Sequence, residues 1–171
     1  MLIGKKVNQT LNEQIGYEFS ASLQYVAIAA YFEGEGLTEL ADLFHQQSTE
    51  ERDHAMRFVK YVIDAGGKLV IPAIPAPRPD FKDACDAIGL SLDSEQRVTN
   101  QINELVNLAI SEGDHITQNM LTWFVAEQLE EVSSMETLLR VAERAGGNLL
   151  YVEEYVARHK ASLLGQSGDA K

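Results

Sequence analysis

Glu18, Glu51, Glu95, Glu127 and Glu131, together with His54, are the residues whose types and spacing point to chemistry. Each interrupts an apolar progression of helical period. The first progression runs Leu11, Ile15, Glu18, Ser22, Tyr25 and Ile28 or Ala29, and the second Leu40, Phe44, Gln47, Glu51, His54, Phe58 and Val62. The third runs Ile88, Leu92, Glu95, Val98 or Thr99, Ile102 and Val106, and the fourth Met120, Phe124, Glu127, Glu131, Met135 and Leu138. Steps of three and four residues keep side chains on one helix face, so five glutamates and a histidine are predicted to point into one interior. A lone glutamate of this kind snorkels to water from a helix edge. Five together are a different matter. Burying an unpaired carboxylate costs several kcal/mol, and five exceed the ~5–15 kcal/mol net stability of a domain. No lysine or arginine stands on the four stripes to neutralise them. Two divalent cations would bring four positive charges to the five negative ones. Carboxylate oxygens with one imidazole suit iron or manganese, and a chain with a single cysteine, Cys85, has no thiolate set for structural zinc or an iron–sulfur cluster. The residues therefore predict a dinuclear site, with iron its natural occupant. The competing reading is a metal-free helical interaction module whose glutamates are turned outward.

Long helices must carry these residues. All four prolines lie between Pro72 and Pro79, leaving uninterrupted stretches on either side. Glycines at Gly34 and Gly36, Gly66 and Gly67, Gly113, and Gly146 and Gly147 read as helix ends. The predicted helices span 5–33, 37–65, 81–112, 115–145 and 148–163, the first four ~45 Å long at 1.5 Å per residue. Thr38, Asp80 and Asp114 are the expected N-caps. Gly16 and Gly89 fall inside helices, at a cost of about 1 kcal/mol each relative to alanine. The proline-rich segment from Gly66 to Asp80 reads as a long extended crossover, which lets the third helix run parallel to the second. The expectation is an all-α, up-down-down-up four-helix bundle over residues 1–164, including a short fifth helix, with a tail at 165–171.

Composition agrees with one folded domain. The chain has 171 residues, 45% of them hydrophobic and 23% charged, with a formal net charge of −12. That balance supports a core and argues against a disordered acidic chain. The negative surplus repels nucleic acid and favours cations. One cysteine gives no sign of an oxidising compartment. The longest apolar run, Tyr25 to Phe32, falls short of the ~20 residues of a membrane span, and Met1 to Thr10 lacks a signal-peptide layout. A cytoplasmic protein with no nucleic-acid or membrane partner is expected.

The motifs themselves resemble a known family. Glu51-Arg52-Asp53-His54 has the Glu-x-x-His form of di-iron bundles, with Glu18 and Glu95 as the single glutamates of two other helices. The fourth helix reads Glu127-Gln128-Leu129-Glu130-Glu131, with Glu130 where a bacterioferritin carries its second histidine. With Leu11-Asn12-Glu13-Gln14, Asn100-Gln101-Ile102-Asn103-Glu104-Leu105 and Trp123-Phe124-Val125-Ala126, these motifs resemble the haem-free bacterial ferritins over nearly the whole chain. The resemblance implies a ferritin-like bundle with ferroxidase activity. Fe(II) would be oxidised by dioxygen or hydrogen peroxide, and ferric mineral stored inside a hollow homo-oligomeric shell, a 24-mer.

It also implies a ligand set. Glu18, Glu51 and His54 would surround a first iron and Glu51, Glu95 and Glu127 a second, two per subunit, with Glu51 bridging and Gln128 close by. A third, weaker site would take Glu50, Glu127, Glu130 and Glu131. Tyr25 matches the family's near-site tyrosine, an electron donor during oxygen reduction or a core residue bonding a ligand carboxylate. Bacterioferritins bind haem through a methionine directly after the bridging glutamate. Arg52 stands there in this chain and Met56, one turn on, reads as a packing residue, so no haem is expected. Animal ferritins line threefold pores with acidic residues near the start of the fourth helix. The corresponding positions here are Gln118 and Leu121, with Glu112 and Asp114 nearby. The fifth helix, with Leu149, Val152, Val156 and Leu163 beside Glu153, Glu154 and Arg158, resembles the one that lines fourfold contacts, the alternative being a helix packed back on its own bundle. Trp123 is expected to pack beside the site, and His45, His115 and His159 to lie on the surface.

Overall fold

A computed structural model describes residues 2–165, which form five helices. They are α1 (Lys5–Gly34), α2 (Thr38–Asp64), α3 (Ala84–Ser111), α4 (His115–Ala145) and α5 (Leu149–Leu163). Among the described residues there is no strand. The expected tail, apart from Gly165, lies outside the described residues.

Two apolar clusters show how the helices run. One gathers the end of α1 (Tyr25, Ile28, Phe32), the start of α2 (Leu40, Phe44), the start of α3 (Ala84, Ile88) and the end of α4 (Met135, Leu138). The other gathers the start of α1 (Leu11, Ile15), the end of α2 (Phe58, Val62), the later part of α3 (Val98, Ile102) and the early part of α4 (Leu121, Phe124). The starts of α2 and α3 therefore share one end of the bundle, which makes them parallel and gives the up-down-down-up order. α1 packs on α2 and α3 on α4, with α1 also facing α3. Between the clusters lies a buried polar layer that includes Glu18, Ser22, Gln47, Glu51, His54, Glu95, Gln128 and Glu131.

The crossover is extended but not left without hydrogen bonds. Asn8 accepts from the Lys68 backbone N–H at 2.9 Å and donates to the Lys68 carbonyl at 3.1 Å. Asn12 donates to the same carbonyl at 2.9 Å and accepts from Val70 N–H at 2.8 Å. Gln24 repeats the pattern on Arg78, at 2.8 and 3.0 Å. Side-chain amides of α1 thus stand in for a neighbouring strand and pair the backbone groups that an extended segment would otherwise leave open. Gly16 belongs to the same contact: a Cβ there would collide with the ring of Pro72, so the crossover can lie flat on α1 only over a glycine. Nothing lies within 4 Å of a Cβ at Gly89, and the structure does not explain that residue.

Two of the three expected caps differ. Asp114 does cap α4, accepting from Thr117 N–H at 2.9 Å. α3 starts at Ala84 instead of residue 81, capped by Asp83 and not Asp80, with Asp83 accepting from Asp86 N–H at 2.9 Å. Asp86 in turn takes the Lys82 N–H and the Arg78 guanidinium, both at 2.9 Å, holding the chain before the helix in a non-helical path. Thr38 lies inside α2, whose N-cap is Leu37 with no side-chain bond of its own. The cap comes from α5: both oxygens of Glu153 accept from Glu39 and Leu40 N–H, at 2.9 and 2.8 Å. Lys160 adds an ion pair to Glu39 at 2.6 Å. With Val152, Val156 and Leu163 buried in the first cluster, α5 packs back on its own bundle.

The two helical glycines make opposite predictions. Gly16→Ala must displace Pro72 and is expected to cost about 1–3 kcal/mol from overpacking, whereas Gly89→Ala gains up to about 1 kcal/mol of helix propensity. Thermal midpoints of the two variants measured side by side should move in opposite directions.

Candidate metal centre

The polar layer is built by one carboxylate from each long helix. α1 supplies Glu18, α2 Glu51, α3 Glu95 and α4 Glu131, all buried, and α2 adds His54 three residues after Glu51. Three groups of side chains each bring one candidate ligand atom per residue within 4.8 Å of one another: Glu18, Glu51 and His54; Glu51, Glu95 and Glu131; and His54, Glu127 and Glu131. Glu51 joins the first two. His54 Nδ1 lies 3.5 Å from Glu51 Oε2 and 3.7 Å from Glu131 Oε1.

Neutral amides hold the carboxylates from outside. Gln14 donates to Glu18 Oε1 at 2.9 Å. Gln128 donates to Glu95 Oε2 at 3.3 Å and also to the Glu95 carbonyl and Thr99 Oγ1, each at 3.2 Å. The Tyr25 hydroxyl donates to Glu95 Oε1. Gln14 and Thr99 were not among the sequence candidates, although Gln14 stands four residues before Glu18 on the same face of α1, a spacing that reads as a helical partner. After these bonds, Glu18 Oε2, both Glu51 oxygens and Glu131 Oε2 remain buried without a hydrogen-bond partner among the described residues. Buried polar atoms are nearly always paired. Four unpaired carboxylate oxygens converging on one space have the chemistry of a hard-cation site.

Electrostatics carry the same signature. Burial pushes Glu18 up to about 7 despite the hydrogen bond it accepts from Gln14. Glu51 and Glu131 are raised well above the ordinary carboxylate range, first by burial and then by the charge of Glu95 and other neighbouring glutamates, and Glu95 is raised by burial. His54 is lowered to about 4, chiefly by burial, and stays a neutral imidazole suited to bind a metal.

The structure shifts the phase of α4. Its buried stripe is Thr117, Leu121, Phe124, Gln128, Glu131, Met135 and Leu138, which leaves Met120 and Glu127 only partly buried. After Phe124, a step of four to Gln128 wins over the expected step of three to Glu127. Glu131 therefore joins Glu51 and Glu95, and Glu127 sits at the edge with His54. Glu50, Glu127, Glu130 and Glu131 border a narrow crevice of about 10 Å³ between α2 and α4, closed by Leu163, Leu164 and Gly165. Gln47 bonds Glu50 there at 2.8 Å. Burial and the charge of Glu127 push Glu50 up to about 7. Met56, expected to pack, is 42% exposed on the outer side of α2. Leu121 is fully buried and lines no surface. Asp114 spends both oxygens on Thr117, through its N–H and its hydroxyl. His45, His115 and His159 are exposed, as expected.

A family model described as a ferritin-like domain matches residues 8–145. The chain belongs to the ferritin family. It is 44% identical over 157 residues to "Ferritin BfrB" of Mycolicibacterium smegmatis, covering 92% of this chain and 87% of that protein. Against "Bacterial non-heme ferritin" of Staphylococcus aureus it is 35% identical over 155 residues, covering 90% and 93%. The solved structure of an open pore ferritin from Archaeoglobus fulgidus superposes with a TM-score of 0.88 at 31% identity, covering 90% of this chain and 97% of that one. The ferritin fold, a four-helix bundle with a short C-terminal helix, is thus the fold of this chain. No described helix is long and apolar enough to cross a membrane.

Stability of this ferritin without metal should fall as pH rises. A carboxyl raised from 4.5 to about 7 holds its proton longer folded than unfolded, so the stability present at pH 4.5 is lost on the way to 7. His54, lowered from 6.5 to about 4, has the opposite sign, since it costs stability as pH falls, but the buried carboxyls outnumber it. In chelator, the thermal midpoint is expected to drop between pH 4.5 and 7. Excess Mn(II) should raise it at pH 7 and leave it little changed at pH 4.5, where the ligands are protonated.

Proposed function

We propose that this ferritin is a ferroxidase. It takes Fe(II) as substrate, oxidises it to Fe(III) with dioxygen or hydrogen peroxide at a dinuclear site inside each subunit, and stores the ferric product in a hollow shell of 24 copies. The observation that carries the reading is the set of four buried carboxylate oxygens, from three helices, with no partner among the described residues. Two ferrous ions would meet that demand, one among Glu18, Glu51 and His54 and the other among Glu51, Glu95 and the α4 carboxylates. Glu131 supports the second position beside Glu127, whose place at the edge suits a ligand that exchanges. Glu51 bridges.

The other residues have definable parts. Gln128 and Tyr25 hold the two oxygens of Glu95, and Tyr25, hydrogen-bonded to a carboxylate, is a one-electron donor whose proton has an acceptor in place. Glu50, Glu127, Glu130 and Glu131 form the third, weaker iron site, at the crevice between α2 and α4. The net charge of −12 favours iron and its mineral over other partners. Haem is not part of this reading, because exposed Arg52 occupies the position of the bacterioferritin methionine. The cytoplasm is its proposed compartment.

Anaerobic Fe(II) titration is expected to saturate at two or three ions per chain, with oxygen consumed on exposure to air and ferric absorbance growing in proportion. The Glu51→Ala, His54→Ala double variant should lose more rate than the ~10–100-fold typical of outer-sphere partners. Unchanged binding and oxidation in that variant would refute the site, and electron microscopy showing no hollow particles would refute the shell.

A further inference from the structure

His54 lacks the support that a metal-binding histidine ordinarily has. Such a ring is usually held by a hydrogen bond from its second nitrogen to a carboxylate, a carbonyl or water, and only the first two are fixed by the protein itself. His54, 5% exposed, makes no such bond among the described residues; only its Nδ1 approaches carboxylates. The torsion that turns an imidazole is broad and does not hold the ring by itself. Orientation must then come from packing. Two aromatic edges supply it: Trp123 meets the His54 ring at 5.4 Å between centroids and 75° between planes, and Phe124 at 5.9 Å and 77°. Phe124 is anchored in the core, stacked on Phe58 at 4.0 Å. Trp123 is only partly buried, and the exposed Arg57 lays its guanidinium over the indole, with Cζ 4.0 Å from the ring centroid.

We infer that Arg57 is a positioning residue of the metal centre: stacked on Trp123, it holds the indole against His54 and keeps the imidazole turned toward Glu51 and Glu131. The residue pattern fits the task. Arg57 follows His54 by three residues and so lies on the same side of α2, while its planar cation covers an aromatic face better than a lysine would. Trp123 stands one turn before Glu127 on α4, so the guanidinium over the indole brings its positive charge to the Glu127 side of the site as well as to His54. Arg57 therefore has a second, opposite influence. It steadies the histidine on which the first cation depends, and it repels the cation that binds beside Glu127. This inference rests on the dinuclear reading of the site.

Trp123 is the only tryptophan in the chain, so its fluorescence reports this contact directly. In the metal-free, full-length assembled protein, Arg57→Leu should shift Trp123 emission to the red and Arg57→Lys should shift it less. Anaerobic Co(II) titration then reads the site without redox chemistry, with Glu127→Gln identifying the step that depends on Glu127. In Arg57→Leu the His54-dependent step is expected to weaken on the order of tenfold, while the Glu127-dependent step tightens. Arg57→Lys should recover most of the first effect and all of the second. General loosening of the fold would weaken both steps together, and that result overturns the inference, as does wild-type Co(II) affinity in Arg57→Leu. Wild-type protein that binds no Co(II) at all would instead refute the metal centre itself, and the inference with it.

Discussion

Carboxylates buried without a counter-charge are the constraint from which the rest of this molecule follows. Each of the four long helices brings one into the same layer, and the desolvation that this imposes is visible in the raised pKa values of Glu18, Glu51, Glu95 and Glu131. Once ionised, such a layer costs the metal-free chain stability. The two apolar clusters on either side must supply it, with fully buried side chains such as Phe32, Phe44, Phe58, Leu11 and Ile88 each stabilising by about 1.5–3 kcal/mol. The bundle is thus a polar disc clamped between two cores.

The choice of partners for the carboxylates follows from the same constraint. Gln14, Gln47 and Gln128 each donate to a glutamate oxygen, on Glu18, Glu50 and Glu95 respectively. A lysine or arginine in any of these places would neutralise the carboxylate and remove its attraction for a metal ion. An amide orients the group, leaves its charge intact and, at Glu18, leaves the second oxygen free. Pairing by neutral donors marks a site built to receive a cation, as distinct from one built around an internal ion pair.

The crossover and α5 complete the scaffold by contacts over long sequence distance. The amides of Asn8, Asn12 and Gln24 hold an extended segment that has no strand to pair with, and Gly16 lets Pro72 approach. Glu153 caps α2 from the far end of the chain and fastens α5 to the bundle. The parallel run of α2 and α3, which brings Glu51 and Glu95 to the same level, depends on the crossover keeping this path.

The order of the amino acids determined the helices, the long crossover between the second and third, and the presence of glutamate on four apolar stripes. These are local properties: proline and glycine stop helices wherever they stand, and a period of 3.6 sets a helix face from a dozen residues. Only the tertiary structure decided which of two allowed phases α4 adopts. Steps of three and four are equally helical, so Phe124 pointed to Glu127 and Gln128 alike until packing against α2 and α3 buried Gln128 and Glu131 and left Glu127 at the rim. The cap from Glu153, the reason for Gly16, the aromatic contacts around His54 and the burial of Leu121 were hidden for the same reason. Each belongs to surfaces that meet only when the helices assemble, and nothing in the spacing along one helix says what the next will lay against it.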